Sequence, residues 1–135
     1  MTSRGIPEHV QRFVREHIDS VEQLDVLLLL FRTSPREWSA VAVSRELRID
    51  PVSAARRLDD FHARELLTVR AGDEALLYSY VRGGPNDEAI ADLATAYAER
   101  RTTLIQFIFE APSRDVRVFA DAFRLRKKDK DRGNE

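Results

Sequence analysis

Hydrophobic residues in the first part of the chain recur every three or four positions, which is the spacing of one helical face. A first helix is predicted to start at Pro7. A second is predicted to start at Ser20, because Ser20 and Gln23 have the spacing of a capping box. Residues 21–31 are apolar nearly all round this second helix. Such a helix is typical of the centre of a core or of a subunit interface.

Over residues 39–82 the runs of helical spacing become shorter. Two short helical stripes are joined there by a tight turn, and Ser39 is predicted to cap the first helix. Asp50 and Pro51 are predicted to open the second, because Asp accepts from free amides and Pro needs no amide donor at the first helical position. One face of this second helix is predicted to be buried through Ala54, Leu58 and Phe61.

Alternating apolar and polar residues then predict a two-stranded hairpin over residues 66–81, with its turn at 71–74. Helix, turn, helix and hairpin in this order resemble the winged helix-turn-helix, in particular the MarR-like regulators. The resemblance is carried by Leu47, Ile49, Asp50, Pro51, Ser53, Ala54, Leu58, Leu66 and Leu67. It implies a mainly α fold with a small β-hairpin, in which N- and C-terminal helices flank the winged unit.

Residues 87–110 are predicted to form one long helix that starts at Asp87 and has Arg100 interrupting an apolar seam of the a/d type. A last helix is predicted after Pro112. Because this apolar surface is larger than one small domain requires, we expect it to form a homodimer contact. The residues assigned to dimerisation are Ile90, Leu93, Tyr97, Leu104, Phe107, Phe119 and Phe123.

Four segments follow from these elements. Residues 1–35 supply N-terminal helices to the core or dimer interface, 36–82 form the winged helix-turn-helix, 87–128 form the C-terminal dimerisation helices, and 129–135 are predicted to be a disordered tail. A length of 135 residues and 43% hydrophobic content fit a single domain. No apolar run is long enough to span a bilayer and no secretory signal is visible, so we expect a cytoplasmic protein without membrane contact.

Composition gives no support for catalysis. The chain has no cysteine, which excludes disulfides, thiolate metal sites and cysteine nucleophiles. His9, His17 and His62 do not match a metal-ligand spacing, so we interpret them as structural. The sequence has no glycine-rich phosphate loop, and its paired acids lack a neighbouring histidine. We therefore expect no enzymatic activity, no metal site and no cofactor.

In MarR-like proteins the second helix of the motif enters the DNA major groove, and the wing touches the adjacent backbone or minor groove. The resemblance thus implies a dimeric, sequence-specific transcriptional regulator that reads double-stranded DNA with helix 51–64. Arginine is the residue that most often reads guanine. Base reading is assigned to Ser53, Arg56 and Arg57, and phosphate contact is assigned to Arg45, Arg48 and Arg70. The alternative for Arg56 and Arg57 is pairing with acids three or four residues along the helix.

The sequence departs from the MarR-like motif at two places. Arg48 stands in the turn where such motifs often have Gly, so a left-handed conformation there would be strained. The wing tip at residues 72–74 is acidic, and the net charge is -1. The neutral charge, the acidic wing tip and the large apolar outer helices suit a winged-helix module that binds a protein partner without binding DNA. A third hypothesis is a ligand sensor whose pocket is lined by Tyr78, Tyr80 and Tyr97.

Overall fold

A computed structural model describes residues 2–3 and 5–110 of the chain. Its helices are α1 (Glu8–His17), α2 (Val21–Thr33), α3 (Ala40–Leu47), α4 (Pro51–Ala63), α5 (Asp87–Glu99) and α6 (Arg101–Glu110). Its strands are β1 (Thr2–Ser3), β2 (Ile6–Pro7), β3 (Leu67–Ala71) and β4 (Leu76–Tyr80). The predicted last helix, with Phe119 and Phe123, and the predicted tail lie outside the described residues. No described helix combines the length and apolarity needed to cross a membrane.

The predicted helix starts are confirmed by their side-chain caps. In each case a side-chain oxygen accepts a hydrogen bond from the backbone amide three residues further on: Ser20 at 3.2 Å, Ser39 at 3.1 Å and Asp50 at 3.1 Å. Each cap satisfies an amide that has no partner within its own helix. Pro51 occupies the first turn of α4, as predicted. Local sequence therefore fixes where α2, α3 and α4 begin.

The prediction of one long helix over residues 87–110 is wrong. The chain leaves helical geometry at Arg100, where φ is -135° and ψ is 50°, and α6 begins at the next residue. Arg100 is exposed and interrupts the apolar seam, so the bend falls at a position that contributes nothing to the core. The change of direction allows Leu104 of α6 and Leu93 of α5 to join the same hydrophobic cluster.

The α2 helix lies at the centre of this cluster. It contacts α3, α4, α5 and β4, and four of its five leucines are almost completely buried. The residues of α2 with exposed fractions of 0–1% are Leu24, Val26, Leu27, Leu28 and Leu30. The nearly uniform apolarity predicted from the sequence thus serves the core of a single chain.

The hairpin of β3 and β4 forms the wing, with Leu67 opposite Tyr80 and Ala71 opposite Leu76. The backbones of Trp38 and Tyr78 exchange two hydrogen bonds of 2.8 Å, which attach the wing to the segment that enters α3. At the wing tip, a Cβ added to Gly72 would lie 2.8 Å from the carbonyl oxygen of Ala75. This contact is too short for a side chain, so the tight turn requires glycine there.

Candidate nucleic-acid interface

The turn between α3 and α4 is closed by Ser44. Its hydroxyl donates a 2.6 Å hydrogen bond to the carbonyl of Ile49, and the Ile49 amide donates a 3.1 Å bond to the Ser44 carbonyl. Between them Arg48 has φ 59° and ψ 48°, which is the left-handed region. The strain expected from the sequence is therefore present, and for a residue with a Cβ it costs about 1–2 kcal/mol.

The inner face of α4 is buried as predicted, because Ala54, Leu58 and Phe61 each have an exposed fraction of 0%. On the outer face, the Val52 side chain is 66% exposed. Arg56 is exposed as well, and it has no hydrogen-bond or ion-pair partner among the described residues. This side of α4 thus presents an apolar side chain and an unneutralised guanidinium to solvent.

The other two residues assigned to base reading are held by α2. Arg57 Nε donates a 2.8 Å hydrogen bond to Oε1 of Glu22, and the Ser53 hydroxyl donates to the same oxygen. The bond from Ser53, with a smaller contribution from Arg57, lowers the pKa of Glu22 despite the opposing effect of burial. Base reading by Ser53 and Arg57 would therefore require them to leave Glu22, whereas Arg56 has no such partner among the described residues.

The three arginines assigned to phosphate contact differ in whether an acid already neutralises them. Arg45 and Arg48 flank the turn before α4, are exposed, and have no ionic partner among the described residues. Arg70, on the wing, forms two hydrogen bonds of 2.6 and 2.7 Å with the carboxylate of Glu37. This contact raises the pKa of Arg70 and lowers that of Glu37. The free positive charge near α4 is accordingly that of Arg45, Arg48 and Arg56.

Among the described residues, neither Arg56 nor Arg57 pairs with an acid on its own helix. Asp60 instead accepts a 3.0 Å bond from Arg64 at the end of α4. Val52 received no role from the sequence, although it lies outside the buried stripe of α4. The sequence signal for Val52 is an apolar residue that directly follows the Asp-Pro helix start and lies outside the apolar stripe.

Most of the residues assigned to dimerisation are covered within the single chain. Ile90, Leu93 and Leu104 have exposed fractions of 0%, and Tyr97 is 4% exposed. Phe107 is partly buried, and the Arg15 guanidinium lies 5.5 Å from the centre of its ring. The most exposed large apolar side chain of α6 is Phe109, at 76%. The seam on α5 and α6 thus belongs to the core, whereas Phe109 faces outward.

The three tyrosines considered for a ligand pocket are core residues with separate partners. Tyr78 is 6% exposed on the wing, beside Trp38. The Tyr80 hydroxyl donates a 2.6 Å bond to Asp87, and burial together with this bond raises the Tyr80 pKa. The Tyr97 hydroxyl donates a 2.8 Å bond to Asp25 of α2. Each tyrosine therefore connects its own helix or strand to another part of the chain, and the three do not line one pocket.

Comparison with known proteins identifies the fold. No family model and no curated protein matches the sequence. The structure is similar to that of BpsR from Bordetella bronchiseptica, whose DNA binding is regulated by 6-hydroxynicotinic acid: the TM-score is 0.52 at 23% identity, over 90% of this chain and 82% of BpsR. MepR, a transcription regulator of the Staphylococcus aureus multidrug efflux pump MepA, gives 0.53 at 10% identity, over 88% and 86%.

A third solved structure, YusO from Bacillus subtilis, has a TM-score of 0.52 at 10% identity, over 90% of this chain and 82% of YusO. At such low identities the likeness concerns the fold. In all three comparisons it extends beyond the winged unit to most of the chain. The chain therefore has the winged helix-turn-helix fold that its sequence predicted, and it shares this fold with BpsR, MepR and YusO.

Proposed function

We propose that this protein is a DNA-binding transcriptional regulator that inserts α4 into the major groove. The observation that carries the proposal is the outer face of α4, where Arg56 is exposed without a partner beside the exposed Val52. The solved proteins of the same fold support this use, because MepR is described as a transcription regulator and BpsR as binding DNA.

The two exposed side chains of α4 have complementary roles in this proposal. The N-terminal part of a recognition helix contacts base edges. Arg56 would donate two hydrogen bonds to a guanine, and Val52 would contact the methyl group of a thymine. Neither side chain must break an internal contact to do so, which distinguishes them from Ser53 and Arg57.

The remaining predicted contacts support or orient α4. Arg45 and Arg48 flank its start and would bind phosphates on either side of the groove. Ser53 and Arg57 would position α4 through Glu22, since direct base contact would require them to leave that carboxylate. Arg70 would contribute less to phosphate binding than the other arginines, because Glu37 already neutralises it.

We also propose that the protein acts as a homodimer. Two copies of α4 would then read half-sites about one helical turn apart in a pseudo-palindromic site. The buried seam on α5 and α6 is not free for this contact, so we assign it to the outer side of α6 around Phe109. The predicted contributions of Phe119 and Phe123 remain part of the proposal.

Selection of bound sequences from a random duplex library tests the proposed function. Fluorescence anisotropy then compares the selected site with the wild-type chain, Arg56→Ala, and Arg12→Ala as a matched control with an exposed arginine on α1. We expect Arg56→Ala to lose about 1–3 kcal/mol of binding and to relax preference at one base. Equal affinity of Arg56→Ala and Arg12→Ala for the selected site would contradict the assignment of α4.

The acidic wing tip favours a second candidate function, a winged-helix module that binds a protein. Asp73 and Glu74 are both exposed at the tip, where they would repel a nearby phosphate. The two functions differ in their response to salt, since a DNA-binding protein loses affinity steeply as salt rises. Absence of any binding to duplex DNA at low salt would favour the protein-binding module.

A further inference from the structure

Three metal-binding side chains meet where α1 packs against α5. His9 lies on α1, and Glu88 and Asp92 lie one turn apart on α5. One potential ligand atom from each comes within 4.8 Å of the others, and this is the one such group of three among the described residues. Spacing along the chain does not reveal this group, because His9 and Glu88 are 79 positions apart.

Two of the three potential ligand atoms are already in direct contact. His9 Nε2 and Asp92 Oδ2 are 2.6 Å apart and hydrogen bonded. Ligand distances of about 2.0–2.2 Å in a tetrahedral zinc site place neighbouring donor atoms roughly 3.3–3.6 Å apart. The pair must therefore separate by less than about 1 Å while Glu88 moves closer. Both side chains are about two-fifths exposed, at 40% and 44%, so rotation suffices.

The backbone that carries these donors is fixed by the core. Val10, which follows His9, and Leu93, which follows Asp92, both have exposed fractions of 0%. Rigid supporting elements are what a metal site needs to hold its ligands in register. His9 and Glu88 also line a solvent-open cavity of about 370 Å³. The cavity leaves room for water as a further ligand.

We propose that His9, Glu88 and Asp92 bind a divalent transition metal ion, zinc being the probe of choice, and that the ion ties α1 to α5. One imidazole and two carboxylates are all established zinc ligands, and water completes a four-coordinate site. Magnesium and calcium prefer shells made entirely of oxygen, so the imidazole selects against them. This inference does not depend on the proposed function.

Isothermal titration of zinc chloride into the tag-free full chain tests the site, with magnesium chloride in parallel. We expect one zinc ion per chain and no measurable binding of magnesium under the same conditions. His9→Gln, Glu88→Gln and Asp92→Asn should each weaken zinc binding by about tenfold or more. Glu99→Gln removes an exposed acid of the same helix outside the group and should leave zinc binding unchanged.

Two readouts separate a lost ligand from a lost fold. Far-UV circular dichroism checks each variant, and Glu88 is exposed, so its replacement leaves the core intact. Cobalt(II), whose visible spectrum reports coordination, should give a four- or five-coordinate spectrum in the wild type and not in Glu88→Gln. The proposal is overturned if the wild type takes up no zinc, or if folded Glu88→Gln binds zinc as tightly as Glu99→Gln.

Discussion

Replacing Arg48 with glycine should make the protein more stable and weaken the proposed DNA binding at the same time. Arg48 holds φ 59° and ψ 48° in the turn before α4, a conformation that glycine adopts freely. Its side chain is exposed and has no partner among the described residues, so the folded state loses no internal contact when it is removed.

The magnitude follows from two opposing contributions. Relief of left-handed strain is worth about 1–2 kcal/mol. The greater conformational freedom of glycine stabilises the unfolded chain and so lowers the free energy of unfolding by about 0.4–1 kcal/mol. We therefore expect Arg48→Gly to raise the free energy of unfolding by about 0.5–1 kcal/mol, which corresponds to a rise in Tm of a few degrees. Urea denaturation and differential scanning calorimetry measure these two quantities.

The same variant loses a proposed phosphate contact. The salt dependence of binding to duplex DNA, plotted as log Kobs against log salt, should become shallower by about one unit per subunit. Glu65→Gly is the matched control, because Glu65 has φ 66° just after α4 and is exposed. It should also stabilise the fold without weakening DNA binding. A destabilised Arg48→Gly beside a stabilised Glu65→Gly would refute the strain argument, and an unchanged salt slope would refute the phosphate contact.

Three further perturbations test other parts of the structure. Glu22→Gln should loosen the contact through which Ser53 and Arg57 position α4, and lower affinity for the selected DNA site severalfold in anisotropy titrations; unchanged affinity would show that this contact does not position α4. Gly72→Ala should destabilise the wing by about 1 kcal/mol or more in urea denaturation, because its Cβ would meet backbone at 2.8 Å; a neutral result would contradict the tight turn. Partial burial and the charge of Arg64 lower the pKa of His17 in the folded state. The contribution of His17 to the free energy of unfolding should therefore be complete above about pH 6.5, its ordinary pKa, and be lost as the pH falls through the lowered folded-state pKa. His17→Gln should remove this part of the pH dependence, and an identical pH profile for the variant would contradict it.

The features that the sequence predicted best are local ones. Ser39 and Asp50 cap their helices within three residues, and the stripe of α4 is read from one stretch of chain. The strain at Arg48 was likewise visible from the residue type and its place in the motif. Such features depend on backbone chemistry and near neighbours, which a single sequence displays directly.

The features that the sequence did not predict depend on packing between distant segments. The contact of Glu22 with Arg57 joins residues 35 positions apart, and nothing near Arg57 indicates that α2 will supply a carboxylate. The meeting of His9 with Asp92 is of the same kind. At Arg100 the interruption of the seam was visible, but whether the helix would continue or bend was decided by the core that Leu104 joins.

DNA binding by the outer side of the helix-turn-helix depends on the free positive charge of Arg45, Arg48 and Arg56. A salt titration of binding to random duplex DNA measures it most directly. We predict measurable binding at low salt, with log Kobs falling linearly as log salt rises and a slope of about -0.9 for each phosphate contacted. Binding that is absent at the lowest salt, or that does not change with salt, would exclude electrostatic binding of DNA by this surface.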